Sequence, residues 1–252
     1  PKGHILTANS QLLDTQDLRI HLYDGRRVRA KAVAVEPEFD AALLELKKES
    51  ETREYDLPHF DVPAAAKQLT AGPGDWVLAF TNSFQIATRD EAMSVQRGVI
   101  SAHTKLLARR GITEIPFGGD VFFVDAITNN PGSAGGALTT RKGQLIGMIG
   151  KEYRNVQSDT WTNFSIPLNC KVEIKQGEKS RTATLADFVS EAIQGKWVAS
   201  VREKKDNDGP GAYHGIVFVP NILEKTPPFV ERVEPGSPAA KAGLRPDDLI
   251  VY

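Results

Sequence analysis

The run Asn129-Asn130-Pro131-Gly132-Ser133-Ala134-Gly135-Gly136-Ala137-Leu138 is the part of this chain best suited to chemistry. Glycine-dense turns expose successive backbone N–H groups. Aimed at one point, such groups stabilise the negative charge that develops on a carbonyl oxygen during acyl transfer. Acyl transfer by a serine also needs an imidazole to take the hydroxyl proton and a buried carboxylate to orient that imidazole. The hydroxyl inside the run is Ser133, and no histidine is spaced to activate it. An unactivated serine is a weak nucleophile. His4, His21, His59, His103 and His214 show neither catalytic nor metal-ligand spacing, so no metal centre and no cofactor are expected.

The surrounding chain bounds what such a loop can belong to. Its 252 residues, 40% hydrophobic and 25% charged, suffice for one large domain or two modest ones with a sizeable core. A net charge of -1 gives no reason to expect nucleic acid or an anionic membrane as the main partner. Lys105, Arg109 and Arg110 read as a solvated basic loop, and Gly72-Pro73-Gly74 as turn chemistry. The single Cys170 cannot form an internal disulfide. No run reaches transmembrane length and no signal peptide is visible. The opening Pro1-Lys2-Gly3-His4-Ile5-Leu6-Thr7 reads as the middle of a strand–turn–strand unit.

Short apolar runs separated by turn signals fill residues 1–170. Ile5–Thr7, Leu18–Leu22, Arg27–Val35, Ala41–Leu46, Trp76–Phe80, Val99–Ala102, Val121–Val124, Leu145–Ile149 and Trp161–Ile166 read as strands, with Asp24-Gly25 a hairpin turn. Almost no helical pattern lies between them, which argues an all-β barrel or sandwich. Residues 171–195 differ. Val172–Ile174 and Arg181–Ala183 suggest a hairpin across Gly177. Thr184 then caps a helix whose Leu185, Phe188, Val189, Ala192 and Ile193 share one face, with Gly195 just past its end. A charged, Gly/Pro-terminated linker follows. Beyond it lie strands at Ile216–Val219 and Phe229–Val233 and a short helix capped by Ser237 and closed by Gly243. Asn163-Phe164-Ser165 fits a glycosylation acceptor but sits where a strand is expected.

Several of these pieces occur in the order of a known family. Ile5-Leu6-Thr7-Ala8-Asn9-Ser10-Gln11-Leu12-Leu13 resembles the segment carrying the histidine in the HtrA (Deg) family of trypsin-like proteases. Glu36-Pro37-Glu38-Phe39-Asp40-Ala41-Ala42-Leu43-Leu44-Glu45-Leu46 resembles the segment carrying its aspartate. Gly74–Phe80, Ser94–Ala102, Asp125-Ala126-Ile127 and Gly143–Met148 match further stretches, so the resemblance covers nearly all of residues 3–170. It implies a mainly β fold, a trypsin-like double β-barrel over residues 1–200. The family's first strands are missing, and a hairpin and helix are added at 171–195. It also implies roles by position. Asp40 stands where the orienting carboxylate belongs, Ser10 where the base histidine belongs, and Ala134 where the nucleophile belongs. Gly132 and Ala134 supply the oxyanion-hole N–H groups, and Ala137 replaces the family's proline.

The C-terminal part resembles the PDZ module of the same family. Ala212-Tyr213-His214-Gly215-Ile216-Val217 looks like the carboxylate-binding loop and first groove strand, and Val230–Ile250 like the module's middle, with Asp247 where a glycine is usual. The expected domains are therefore 1–200, a linker at 201–211, and a partial PDZ domain at 212–252 whose remaining groove wall would follow Tyr252. Tyr213, His214, Gly215 and Ile216 are the candidate peptide-binding residues. The resemblance implies polypeptide or protein C-termini as partners, no nucleic acid, a periplasmic or otherwise extracytoplasmic setting, and a trimer or an active relative as assembly partner. With two of three triad positions changed, the expected function is that of a pseudoprotease, a scaffold or regulator that holds polypeptide. The alternatives are an active serine endopeptidase whose nucleophile has been replaced in this sequence, and a PDZ-driven adaptor.

Overall fold

The computed structural model describes residues 3–12, 18–47, 57–82, 93–106, 109–110, 113–114, 117, 119–130, 132–151, 153–155, 160–176, 179–200, 213–218 and 228–250. The strands are β1 (His4–Ala8), β2 (Leu18–His21), β3 (Arg27–Glu36), β4 (Ala41–Leu46), β5 (Trp76–Thr81), β6 (Ser94–Lys105), β7 (Arg109–Arg110), β8 (Thr113–Glu114), β9 (Asp120–Val124), β10 (Ala137–Thr140), β11 (Leu145–Ile149), β12 (Tyr153–Asn155), β13 (Thr160–Thr162), β14 (Phe164–Pro167), β15 (Lys171–Gln176), β16 (Lys179–Thr184), β17 (Ile216–Phe218) and β18 (Val230–Val233). The helices are α1 (Val62–Lys67), α2 (Leu185–Ile193) and α3 (Pro238–Lys241). The chain divides into a larger unit, Pro1–Ala108 with Glu114–Tyr153 and Trp161–Val201, and a smaller one containing Arg202–Tyr252.

In the larger unit two sheets carry the fold. The first is antiparallel in the order β1-β4-β3-β2. Its β2–β3 hairpin turns at Gly25, whose φ of 82° suits the Asp-Gly pair read as a turn. Alternation in β3 buries Val28 and Ala30 against Leu44 and Leu46. Ala41 to Leu44 of β4 are all buried, because both faces of that central strand are covered. The second sheet is a closed barrel, β10-β11-β14-β9-β6-β5, filled by Val77, Ala79, Ile100, Phe122, Leu138 and Ile149.

The segment after the barrel behaves as its pattern predicts. β15 and β16 form a hairpin from Lys171↔Thr184 to Gln176↔Lys179. Thr184 and Asp187 make a reciprocal capping box at the start of α2, and Gly195 follows its end with φ 67°. Leu185, Phe188 and Val189 are buried in one cluster with Phe39 and Leu43, so the helix is packed beside the Asp40 segment.

Three elements depart from the sequence reading. α1 stands where no helix is expected. It is six residues long, capped by Asp61 accepting from the Ala64 N–H at 3.0 Å, and packs Val62, Ala65 and Ala66 against the core. β10 extends the glycine loop into a barrel strand. The run expected as one strand from Trp161 to Ile166 is split at Asn163, whose carboxamide oxygen accepts the Thr128 N–H at 2.8 Å. Asn163 is thus occupied within the fold.

In the smaller unit, β17 pairs antiparallel with β18, from Ile216↔Val233 to Phe218↔Val230. The Ser237 hydroxyl caps α3 by accepting the Ala240 N–H at 3.1 Å, and Gly243 follows with φ 85°. Phe229 bridges to Leu249. The expected linker at 201–211, together with Leu13, Gly177, Val219 and Tyr252, lies outside the described residues.

Candidate active site

The glycine loop is built from two consecutive tight turns. The Ser133 N–H donates to the Asn130 carbonyl at 3.1 Å, with Gly132 at φ 88°. The Gly136 N–H donates to the Ser133 carbonyl at 3.1 Å, with Gly135 at φ 84°. Ala134 occupies the corner between them. The loop is clamped to the end of β11 by the Gly135 N–H to the Ile149 carbonyl and by the Ile149 N–H to the Gly136 carbonyl, each 2.8 Å.

Gly135 could not be another residue without rearrangement. A Cβ there would lie 2.4 Å from the Thr7 hydroxyl oxygen and 2.5 Å from the Ala8 nitrogen. The loop is thereby pressed against the end of β1, the strand that leads into Ser10. Ser133 is fully buried and Ala134 is 7% exposed. The N–H groups of Gly132 and Ala134 make no hydrogen bond to another described residue.

Ser10 and Asp40 meet at the opposite side of this corner. Ser10 lies in a short turn, Asn9–Gln11, immediately after β1. The Asn9 N–H donates to the Asp40 carbonyl at 2.8 Å, the Ser10 N–H to Asp40 Oδ1 at 2.7 Å, and the Ser10 hydroxyl to Asp40 Oδ2 at 2.6 Å. Asp40 is 4% exposed and holds φ 48°, a left-handed conformation that a short polar side chain tolerates best. Its carboxylate is therefore occupied by the residue at the imidazole position. A hydroxyl that donates to a carboxylate takes no proton from a nucleophile, so this pair lacks the base step of acyl transfer.

No other imidazole is placed to supply it. His4 lies on β1 opposite Glu45, and His21 on β2 opposite Arg27, both at the sheet end remote from the Ala8↔Ala41 pair that adjoins Ser10 and Asp40. Burial is the main cause lowering the His4 pKa. His59 Nδ1 is 3.0 Å from the Leu57 carbonyl, His103 stacks on Phe122 at 4.7 Å, and His214 belongs to the smaller unit. Cys170 is buried, and burial pushes its thiol up to about 11, so it remains a thiol at neutral pH.

Sequence reasoning missed the support beneath Asp40. Glu36 is fully buried, and its carboxylate accepts four hydrogen bonds: from the Glu38 N–H at 2.9 Å, Trp197 Nε1 at 3.1 Å, the Ser200 N–H at 3.0 Å and the Ser200 hydroxyl. The first bond caps the turn Pro37–Phe39 that ends at Asp40. Trp197 in turn meets the Phe188 ring edge-on at 5.1 Å and lies under the Arg181 guanidinium at 4.7 Å. Arg181 forms a two-pronged pair with Glu191 at 2.8 and 2.7 Å, and that hydrogen-bonded carboxylate raises its pKa further. The hairpin, helix and following segment thus brace the turn that presents Asp40.

In the smaller unit the Tyr213–Ile216 loop is also built around a glycine. Gly215 has φ 74°, and a Cβ there would fall 2.2 Å from Ser237 Cβ. Its carbonyl accepts the Glu234 N–H at 2.8 Å, the His214 carbonyl accepts the Ala239 N–H at 3.0 Å, and the Ile216 N–H donates to His214 Nδ1 at 2.9 Å. Tyr213 is 66% exposed.

The family model described as a trypsin-like peptidase domain matches residues 1–148, and a PDZ domain model matches residues 229–251. The chain belongs to the HtrA group of trypsin-like peptidases. It is similar to a probable periplasmic serine endoprotease DegP-like of Hahella chejuensis, 24% identical over 249 residues, covering 99% of this chain and 45% of the relative. A protein of the same description from Marinomonas sp. is 28% identical over 252 residues, covering 99% of this chain and 45% of that relative. The chain therefore spans under half the length of these curated relatives.

Among solved structures, a serine-to-alanine variant of the HtrA-type protease AlgW with decapeptide matches with a TM-score of 0.55 and 25% identity, covering 99% of this chain and 65% of that one. The apo MamO protease domain from Magnetospirillum magneticum matches with a TM-score of 0.50 and 23% identity, covering 66% of this chain and 79% of that one. No helix among the described residues is long and apolar enough to cross a membrane.

Proposed function

We propose that this HtrA-type chain binds polypeptide without hydrolysing it. The observation that carries the reading is the Ser10–Asp40 pair at 2.6 Å, with Ala134 at the corner of the glycine loop. Peptide hydrolysis by this fold needs a proton acceptor and an alcohol at those two positions, and both are replaced. Losing one proton-handling member of a triad already costs on the order of a millionfold in turnover. The N–H groups of Gly132 and Ala134 remain available to hold a peptide carbonyl as oxyanion-hole donors. In the smaller unit the Tyr213–Ile216 loop is the site for a terminal carboxylate, held by backbone N–H groups. The AlgW structures with decapeptide support polypeptide as the ligand class. The periplasmic description of the DegP-like relatives supports an extracytoplasmic setting. Assembly as a trimer, or with an active relative, belongs to the same proposal, as does the division into a peptidase domain at 1–200, a linker at 201–211 and a PDZ segment at 212–252.

A fluorogenic casein assay on the purified chain tests this. No turnover is expected. Turnover abolished by a serine-reactive inhibitor would overturn the proposal. The glycine loop, with both of its turns formed, favours one further reading: a competent endopeptidase whose serine has been replaced by alanine. The codons at positions 10 and 134 in the native gene decide between them, since a histidine and a serine there would establish the second.

A further inference from the structure

The Tyr213–Ile216 loop is not open as folded. A backbone cradle for a carboxylate offers its successive N–H groups, here those of His214, Gly215 and Ile216. The first two make no hydrogen bond to a described residue, while the Ile216 N–H is taken by Nδ1 of His214 at 2.9 Å. Nδ1 accepts this bond, which leaves the ring proton to Nε2. The ring is steadied by Phe218, 6.2 Å away in a tilted arrangement, and the loop backbone is fixed by Ala239, Glu234 and the contact of Gly215 with Ser237. An imidazole and an incoming carboxylate thus compete for one donor.

We infer that His214 is a self-cap on the carboxylate cradle, excluding terminal carboxylates while the imidazole is neutral and admitting them when it is protonated. Protonation puts a hydrogen on Nδ1, so the ring can no longer accept. The Ile216 N–H is released, and a cation stands beside the free donors. The titratable groups on the elements around the loop are Tyr213, Glu231, the ion-paired Arg232 and Glu234 of the β18 side, and Lys241 of α3. Of these side-chain types only imidazole ordinarily changes charge between pH 5 and 8. The inference rests on the reading of this loop as a carboxylate site and adds its regulation.

The test uses the whole chain, labelled with nitrogen-15, titrated with N-acetyl-leucine and with N-acetyl-leucinamide at about pH 5.5 and about pH 8. In the unaltered chain the carboxylate should bind about fivefold tighter at the lower pH, the size of one neutral hydrogen bond. The Ile216 amide resonance should move with the His214 ring. In His214→Leu the carboxylate should bind about fivefold tighter than in the unaltered chain at the higher pH, with the pH dependence gone. Equal affinities in both chains at both pH values, with carboxylate still preferred over amide, would overturn the self-cap and leave the cradle standing. An Ile216 amide indifferent to the ring's titration would overturn the self-cap as well. Carboxylate and amide binding alike in both chains would remove the cradle itself.

Discussion

In the larger unit, the glycine loop and the Ser10–Asp40 pair are held in shape in different ways. On the glycine-loop side, both turns are formed, Gly132 and Gly135 keep left-handed backbones, and only the side chain at Ala134 lacks the hydroxyl the family uses. On the Ser10–Asp40 side, a direct hydrogen bond from the Ser10 hydroxyl satisfies the carboxylate, and Glu36 braces the turn from behind. The loop side keeps its shape because Gly135 is set by steric contact with β1 and Gly136 by contact with β5. The Asp40 side keeps its shape because a buried carboxylate must find donors, whatever residue supplies them. The two parts of the site are therefore held in shape by independent means.

The largest expected effect is on activity. Ser10→His combined with Ala134→Ser should produce peptide hydrolysis on the order of a thousandfold above either single variant, because the triad members act as a unit. A fluorogenic assay on all three variants reads it, and a double variant as inert as the singles would mean the loop side has lost its geometry too.

Next is Glu36→Ala, which strands the Trp197 ring nitrogen, the Ser200 donors and the Glu38 N–H in the interior. A loss of about 3 kcal/mol is expected in urea unfolding. Glu36→Gln, which keeps one acceptor oxygen, should lose less. Gly135→Ala strikes the loop side instead. With φ 84° and a Cβ 2.4 Å from the Thr7 hydroxyl oxygen, it should cost about 2 kcal/mol and should also erase the activity gained by the double variant. The smallest effect is expected from Arg181→Lys, which loses the two-pronged pair and the stacking on Trp197. About 1 kcal/mol in the same unfolding measurement would fit, with loop-side function untouched.

Much of this architecture was legible from residue patterns, for identifiable reasons. Alternation in Arg27–Val35 and the Asp24-Gly25 turn mark the first sheet because period-two burial and a left-handed glycine are local properties. The same holds for the Thr184–Asp187 cap and the one-sided apolar face of α2. α1 escaped because its apolar face, Val62, Ala65 and Ala66, is short and built mostly of alanine. β6 is longer than its apolar centre suggests, because its alternating burial turns Ser94, Gln96 and Gly98 inward and Val95 outward, so residue polarity hides the pattern. At the site, resemblance to the family pointed to Ser10, Asp40 and Ala134. Nothing local could have paired Glu36 with Ser200, which are 164 positions apart. His214 is only two positions from the Ile216 N–H that it accepts, yet the sequence marks it only as a peptide-binding residue of its loop. A ring nitrogen accepting a backbone N–H depends on a rotamer that no residue pattern reveals.

The contact of Gly135 with Thr7 and Ala8 has a consequence for how such a protein can change over generations. A main chain packed too tightly for even one methyl group cannot drift by small steps, since each intermediate would be unstable. Variation is channelled away from Gly135 and into positions free of such a contact. A turn held this way persists whatever side chains its neighbours carry.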